Sequence, residues 1–402
     1  MKWSAVRRCF EITSQRRRTD DVNQMIVRHF RRAWLCAALA VFLGAGCATV
    51  DLIDGDGDDK VRVQVEWRLD LASDRIGEIE ARELGRPVLS PGGDLLVGAS
   101  NGWVYRIDAG GGDIKWGTPI DGSIDARAEL VSNVVYVGTD DGQVVALGWR
   151  EGEVLWRFET RGSVETTPTV TGGRLFVPDS DDVLYALDAV TGELLWDYQR
   201  QTPEFFTIKG GGEPLVVGNT VYAGFSDGHL VALHADSGDE IWAAYLGDES
   251  GEFGDVSLPI AIDDERLIVS SHAGGVYLVE RATGALLWRA DITEVTAGEF
   301  VGGWLFLSTA GGRVIALDTR DGEIGWEYNT PNDRPAMDLR LVAPYVAVAT
   351  VDGPLIWLRL RDGEPMAKWA PSTGFQSAPV FDERYGYVIS NQGYLYGFRL
   401  AF

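Results

Sequence analysis

Val183-Leu184-Tyr185-Ala186-Leu187-Asp188-Ala189-Val190-Thr191-Gly192-Glu193-Leu194-Leu195-Trp196 is the stretch that decides the fold. An apolar run, an aspartate, a short turn closing on a glycine and a second apolar run ending in tryptophan read as strand, tight turn, strand. Upstream, Arg174–Val177 is a further short strand between the turn at Gly172-Gly173 and the turn at Asp179–Asp182. Variants of this unit close on Trp67, Trp116, Trp156, Trp196, Trp242, Trp288, Trp326 and Trp369, with successive intervals of 49, 40, 40, 46, 46, 38 and 43 residues. A recurrence of forty-odd residues with strand-turn-strand texture predicts a radial array of small sheets.

The runs are nearly continuously apolar, as in Leu184 to Leu187, which suits strands covered on both faces. Sheets packed side by side around an axis give that environment, and each tryptophan on the outer part of a sheet is expected to wedge against the next one. Losing such a ring typically costs about 3–5 kcal/mol. Val61–Trp67 has the tryptophan without preceding strands, whereas Asn391–Phe398 has the strand without a tryptophan. The two fragments complete one another. The expectation is therefore an all-β, eight-bladed propeller of four-stranded antiparallel blades over residues 61–402, its N-terminal strand closing the last blade and leaving no free sheet edge.

Ahead of the repeats, residues 25–47 carry a basic segment, an apolar stretch of about eleven residues and then Gly44-Ala45-Gly46-Cys47. This is a secretory signal, too short for a membrane span. Its small residues ending in cysteine resemble a bacterial lipoprotein box, so residues 25–46 are expected to be removed and Cys47 lipidated. Each buried methylene then contributes about 0.8 kcal/mol to anchoring. Residues 1–24, with Arg16-Arg17-Arg18 and no apolar run, read as an extension from an over-called start. Residues 47–60 read as an acidic flexible tether; an EF-hand loop there would need glycine at Asp59 and glutamate at Val65.

The net charge of −24 excludes the basic footprint that nucleic acid requires. All three cysteines, Cys9, Cys36 and Cys47, precede the repeats, so no disulfide or thiolate metal site is expected in them. His229 and His234 share one repeat but, five apart on a strand, fall on opposite faces, and no metal site is expected. Asp108, Asp188 and Asp318 recur at equivalent turns, which marks them as hairpin formers rather than catalysts.

The tract Ala186–Trp196 resembles the tryptophan-docking repeat of quinoprotein propellers, shared by the quinone-dependent alcohol dehydrogenases and by the BamB lipoproteins of the outer-membrane β-barrel assembly machinery. The dehydrogenases have an adjacent cysteine pair and a calcium site; no cysteine follows Cys47 here. The resemblance to BamB extends over about residues 34–402. It implies a non-catalytic scaffold without cofactor, a monomer within its complex. Such a scaffold would be held on the periplasmic side of the outer membrane by lipid. It would bind a POTRA domain of the barrel-forming subunit BamA and other subunits, with nascent outer-membrane proteins as further partners. The family's docking loop falls on Gln201–Pro214, with Phe206, Ile208 and Lys209 in its two leucine places and its arginine place, and Asp255 matches one of two rim aspartates. Lysine lacks the guanidinium fork of the arginine it replaces. The alternative is a different envelope lipoprotein scaffold on the same fold.

Overall fold

A computed structural model describes residues 61–71, 85–200, 212–247, 255–383 and 385–401. These form eight four-stranded antiparallel sheets, each ordered from an inner to an outer strand. Blade 1 spans residues 88–119, blade 2 129–159, blade 3 169–199, blade 4 215–245, blade 5 256–290, blade 6 295–329 and blade 7 336–369. Blade 8 takes three strands from residues 380–401 and its outer strand from Arg62–Asp70. The inner strands of successive blades run side by side, and Val380–Asp382 of blade 8 lies against Val88–Leu89 of blade 1, which closes the ring. The protein is an eight-bladed β-propeller.

There is no single core. Eight apolar clusters lie between consecutive blades. One joins Leu95, Val97 and Ile107 of blade 1 to Tyr387, Ile389 and Leu395 of blade 8; another joins Tyr136, Val144 and Ala146 to Leu175, Tyr185 and Leu187. Alternate residues of one strand therefore feed two different cores, which is why the runs are apolar throughout.

The opening stretch can now be read residue by residue. Ala186 lies opposite Trp196 and leaves room for it. Asp188 accepts the backbone N–H groups of Val190 and Thr191, and these bonds hold its carboxyl below the usual range. A β-bulge follows, so that the outer strand turns its indole toward the next blade. The same bulge recurs in every blade. Trp196 donates its Nε1–H to the Ala235 carbonyl of blade 4 at 3.1 Å. It also lies flat on Gly238, where a Cβ would sit 2.7 Å from the ring. Equivalent pairs link Trp67 to Gly112, Trp116 to Gly152, Trp156 to Gly192, Trp242 to Gly284, Trp288 to Gly322 and Trp326 to Gly363. All seven indoles donate to a carbonyl of the next blade at 2.9–3.3 Å. The turn glycine thus has two duties: a φ of +75° at Gly192, and a bare surface for the ring.

Two expectations need correction. Trp369 does not dock. Its acceptor would be the turn between the third and outer strands of blade 8, but those strands come from opposite ends of the described chain and no turn joins them. Ala367, opposite Trp357, holds the docking place instead. Trp369 is only 2% exposed, packs on Phe375, Tyr396 and Phe398, and its Nε1 has no hydrogen-bond partner. Nor is the wheel free of sheet edges: closure joins blades face to face, and among the described residues each sheet still ends in an outer strand paired on one side only.

Blade 1 has its own variant. Arg106 replaces the alanine opposite the docking ring of Trp116. It pairs with buried Asp94 through Nε at 2.8 Å and Nη2 at 2.6 Å, and its guanidinium lies 4.2 Å above the Trp149 ring of blade 2. Lys115 also bonds Asp94. Burial raises the Asp94 pKa, but the bonds from Lys115 and Arg106 outweigh it and hold the carboxyl below the ordinary range.

Candidate partner-binding rim

Of the connections that lead from an outer strand to the next inner strand, one runs from blade 3 to blade 4 (residues 200–214) and the next from blade 4 to blade 5 (residues 246–255); that from blade 8 to blade 1 (residues 71–87) is longer than either. Phe206, Ile208 and Lys209 lie outside the described residues, as does Cys47 with everything before residue 61. What surrounds the connections is defined. Arg200, at the end of blade 3, pairs with Asp227 of blade 4 at 2.6 Å. Where the first connection returns, Gly212 lies so close to Ser257 of blade 5 that a Cβ would come within 2.8 Å of its backbone. Glu213 pairs with Arg127 of blade 2 at 3.3 Å, and Pro214 accepts a bond from Thr169 of blade 3 at 2.9 Å.

Asp255 stands at the start of blade 5. The residue is 8% exposed, and its carbonyl accepts the His272 N–H at 2.9 Å. The next residue, Val256, crosses directly over Gly224, where a Cβ would meet the Val256 carbonyl at 2.1 Å.

Asp182 is the rim residue that the motif reading passed over. It occupies the turn position taken elsewhere by Gly102, Gly142, Gly228, Gly312 and Gly393, and adopts φ +57°, which aspartate tolerates better than most side chains. Its carboxylate accepts the Ser226 backbone N–H at 3.0 Å and the Ser226 hydroxyl, tying blade 3 to blade 4. Burial pushes its pKa up; the Ser226 bonds oppose this, while the nearby charges of Asp227 and Asp255 add to it. The signal in the sequence was an aspartate standing where the repeat has glycine.

At the hub, the charged side chains are engaged with one another. Arg340 pairs with Glu299 at 2.5 Å across blades 6 and 7, and Arg127 with Glu213. Among the described residues, no group of three His, Cys, Asp or Glu side chains is arranged to hold a metal ion. The described residues contain no cysteine, so the adjacent cysteine pair of the dehydrogenases has no counterpart among them. Among the described residues no helix is long and apolar enough to cross a membrane.

The fold defines a class: a tryptophan-docked eight-bladed propeller. The family described as outer membrane protein assembly factor BamB matches residues 100–328 and 250–401, and the chain belongs to that family. Outer membrane protein assembly factor BamB of Yersinia pestis is 24% identical over 378 residues, covering 92% of this chain and 84% of that one. The Pseudomonas aeruginosa protein of the same name is 24% identical over 205 residues, 50% of this chain and 54% of its own length. The chain thus spans about half the length of several curated relatives that it matches. Among solved structures, BamB from Moraxella catarrhalis superposes with a TM-score of 0.71 at 19% identity, covering 84% of this chain and 99% of that one. A quinohemoprotein alcohol dehydrogenase from Comamonas testosteroni reaches 0.67 at 17% identity, covering 84% and 76%. At such identities the structural likeness concerns the fold alone.

Proposed function

We propose that this chain is a non-catalytic scaffold of outer-membrane protein assembly. Lipid on Cys47 holds it to the periplasmic face of the outer membrane. The loop carrying Phe206, Ile208 and Lys209 docks a POTRA domain of BamA: two apolar anchors supply buried area and one cation fixes orientation. Asp255 positions the neighbouring connection from below. The observation that carries the reading is family membership, together with a rim whose blade 3 to blade 4 connection rises over a base tied by Asp182–Ser226 and Arg200–Asp227.

The test is co-purification of BamA with the lipidated chain after Ile208→Glu combined with Lys209→Glu. Recovery is expected to fall at least tenfold while the circular dichroism of the propeller is retained. Unchanged recovery would refute the docking site.

A further inference from the structure

The two faces of the wheel differ in what they leave exposed. One is the rim, where each outer strand hands over to the next blade. The other carries the turns that join each third strand to its outer strand, such as residues 189–193 of blade 3. Among the described residues thirteen large apolar side chains are exposed, and twelve of them lie at this hairpin end of the wheel; Tyr245, at the rim, is the exception. Blades 2, 3 and 5 each expose a pair: Val154 with Leu155, Leu194 with Leu195, and Leu286 with Leu287. Each pair opens its outer strand, so it stands about 3–7 Å above the turn. Val190, in the blade 3 turn itself, is 78% exposed. Single exposed aliphatic residues are ordinary, but their gathering on one face around most of the ring marks a contact surface. The chain enters the wheel from the same side. Arg62, which opens the closing strand, pairs with Ala401, whereas Asp70 at the other end pairs with Tyr394 beside the rim turn at Gly393.

From this we infer that the hairpin face is a bilayer-facing surface, held against the headgroups of the membrane that carries the anchor. Lipidation of Cys47, as proposed above, brings the bilayer within reach: Val61 follows Cys47 by fourteen residues, at most about 50 Å of extended chain. The occupant follows from the layout of the belt. Its members are spread around the circumference at one height. A compact partner meets only a few blades at a time, whereas a broad flat surface meets them together. Interfacial burial reaches about 5–10 Å into the headgroup boundary, which matches the height of the belt above the turns. Charge selects the lipid. Glu151, Glu193 and Glu323 stand exposed in the turns and make no ion pair among the described residues. Zwitterionic headgroups accommodate them and anionic headgroups repel them. The rim, with the loop that docks BamA, then faces away from the membrane.

The experiment places the lipidated chain on vesicles of phosphatidylethanolamine and phosphatidylcholine that contain a nitroxide-labelled lipid. A fluorophore is attached at Leu195→Cys or, for comparison, at Tyr245→Cys. Quenching at position 195 is expected to exceed that at position 245 at least threefold, and to fall at least twofold when half the lipid is phosphatidylglycerol. Leu155→Glu combined with Leu287→Glu, both at exposed positions, should abolish the contrast while circular dichroism and retention on the vesicles are unchanged. Equal quenching at the two positions overturns the proposal. So does a loss of BamA recovery in the glutamate variant without any quenching contrast, because the belt is then a protein surface. A second arm carries Cys47→Ser and tethers the chain by a histidine tag at the start of the mature segment to a nickel-chelating lipid. The contrast is expected there too, so failure of lipidation and failure of the surface are separate results.

Discussion

Gly192→Ala is the sharpest probe of how the wheel is held together. Gly192 adopts φ +75°, and a Cβ there would stand 2.6 Å from Cδ2 and Cε3 of Trp156. Gly173 supplies the comparison: φ is +79°, but nothing lies within 4 Å of its Cβ position. Both alanines carry the left-handed backbone penalty of about 1–2 kcal/mol. Only the first must also displace an indole, at about 1–3 kcal/mol of overpacking. If the ring swings away, its bond to the Ala189 carbonyl at 3.3 Å is lost as well, adding about 1 kcal/mol. Gly192→Ala should therefore cost about 3–6 kcal/mol against about 1–2 kcal/mol for Gly173→Ala. Urea unfolding followed by tryptophan fluorescence measures both. The argument also demands coupling: in a Trp156→Leu background the Gly192→Ala penalty should fall to that of Gly173→Ala. Penalties within about 0.5 kcal/mol of one another in the wild-type background, or an undiminished penalty without the ring, would refute stacking as the link.

Trp369→Phe should cost no more than Trp326→Phe although Trp369 is the more buried ring. Trp326 gives up a bond to the Leu360 carbonyl at 3.0 Å, whereas Trp369 gives up an N–H with no acceptor; thermal melts of the two variants decide it. Asp94→Ala should destabilise by about 3 kcal/mol at neutral pH, because it leaves Arg106 without its carboxylate at a buried interface. The pH dependence has a definite sign. The folded pKa of Asp94 is depressed, so its stabilisation is complete above the ordinary carboxylate pKa of about 3.9 and disappears as pH falls through the lower folded value. The gap between the urea midpoints of wild type and Asp94→Ala should therefore be constant above about pH 4 and narrow progressively as pH falls below it; a gap that does not narrow with acid would count against the ion pair.

The wheel was legible in the sequence because its cause is local and repeated: Asp188, Gly192 and Trp196 each act within a few residues or on the adjoining blade. Closure was legible for the same reason, since half a motif at each end left one completion. What escaped depended on the absence of a neighbour. Trp369 has the right residue type but no turn to land on. The outer edges stay open because a propeller closes through blade faces rather than through strand pairing. The close crossing of Val256 over Gly224, beside Asp255, is a contact between blades that no spacing announces. Of the docking loop, the sequence offers the residue characters at 206, 208 and 209 through family resemblance alone.

In a repeat protein the informative residues are those that break the repeat. Some breaks answer to architecture: Ala367 and Trp357 exchange sizes where no docking turn exists, and Arg106 with Asp94 replaces an alanine by an ion pair that still fills the same interface. Those at the rim do not. Asp182 takes a strained turn where glycine would be easier, and its reward is a tie to Ser226. Eight similar inter-blade cores would be served equally well by eight glycine turns, so stability alone gives no reason for aspartate to hold this one. A base fixed beneath the rim by Asp182–Ser226 and Arg200–Asp227 does give one, and it makes this corner of blades 3 and 4, not the hub, the place where substitutions should separate function from folding.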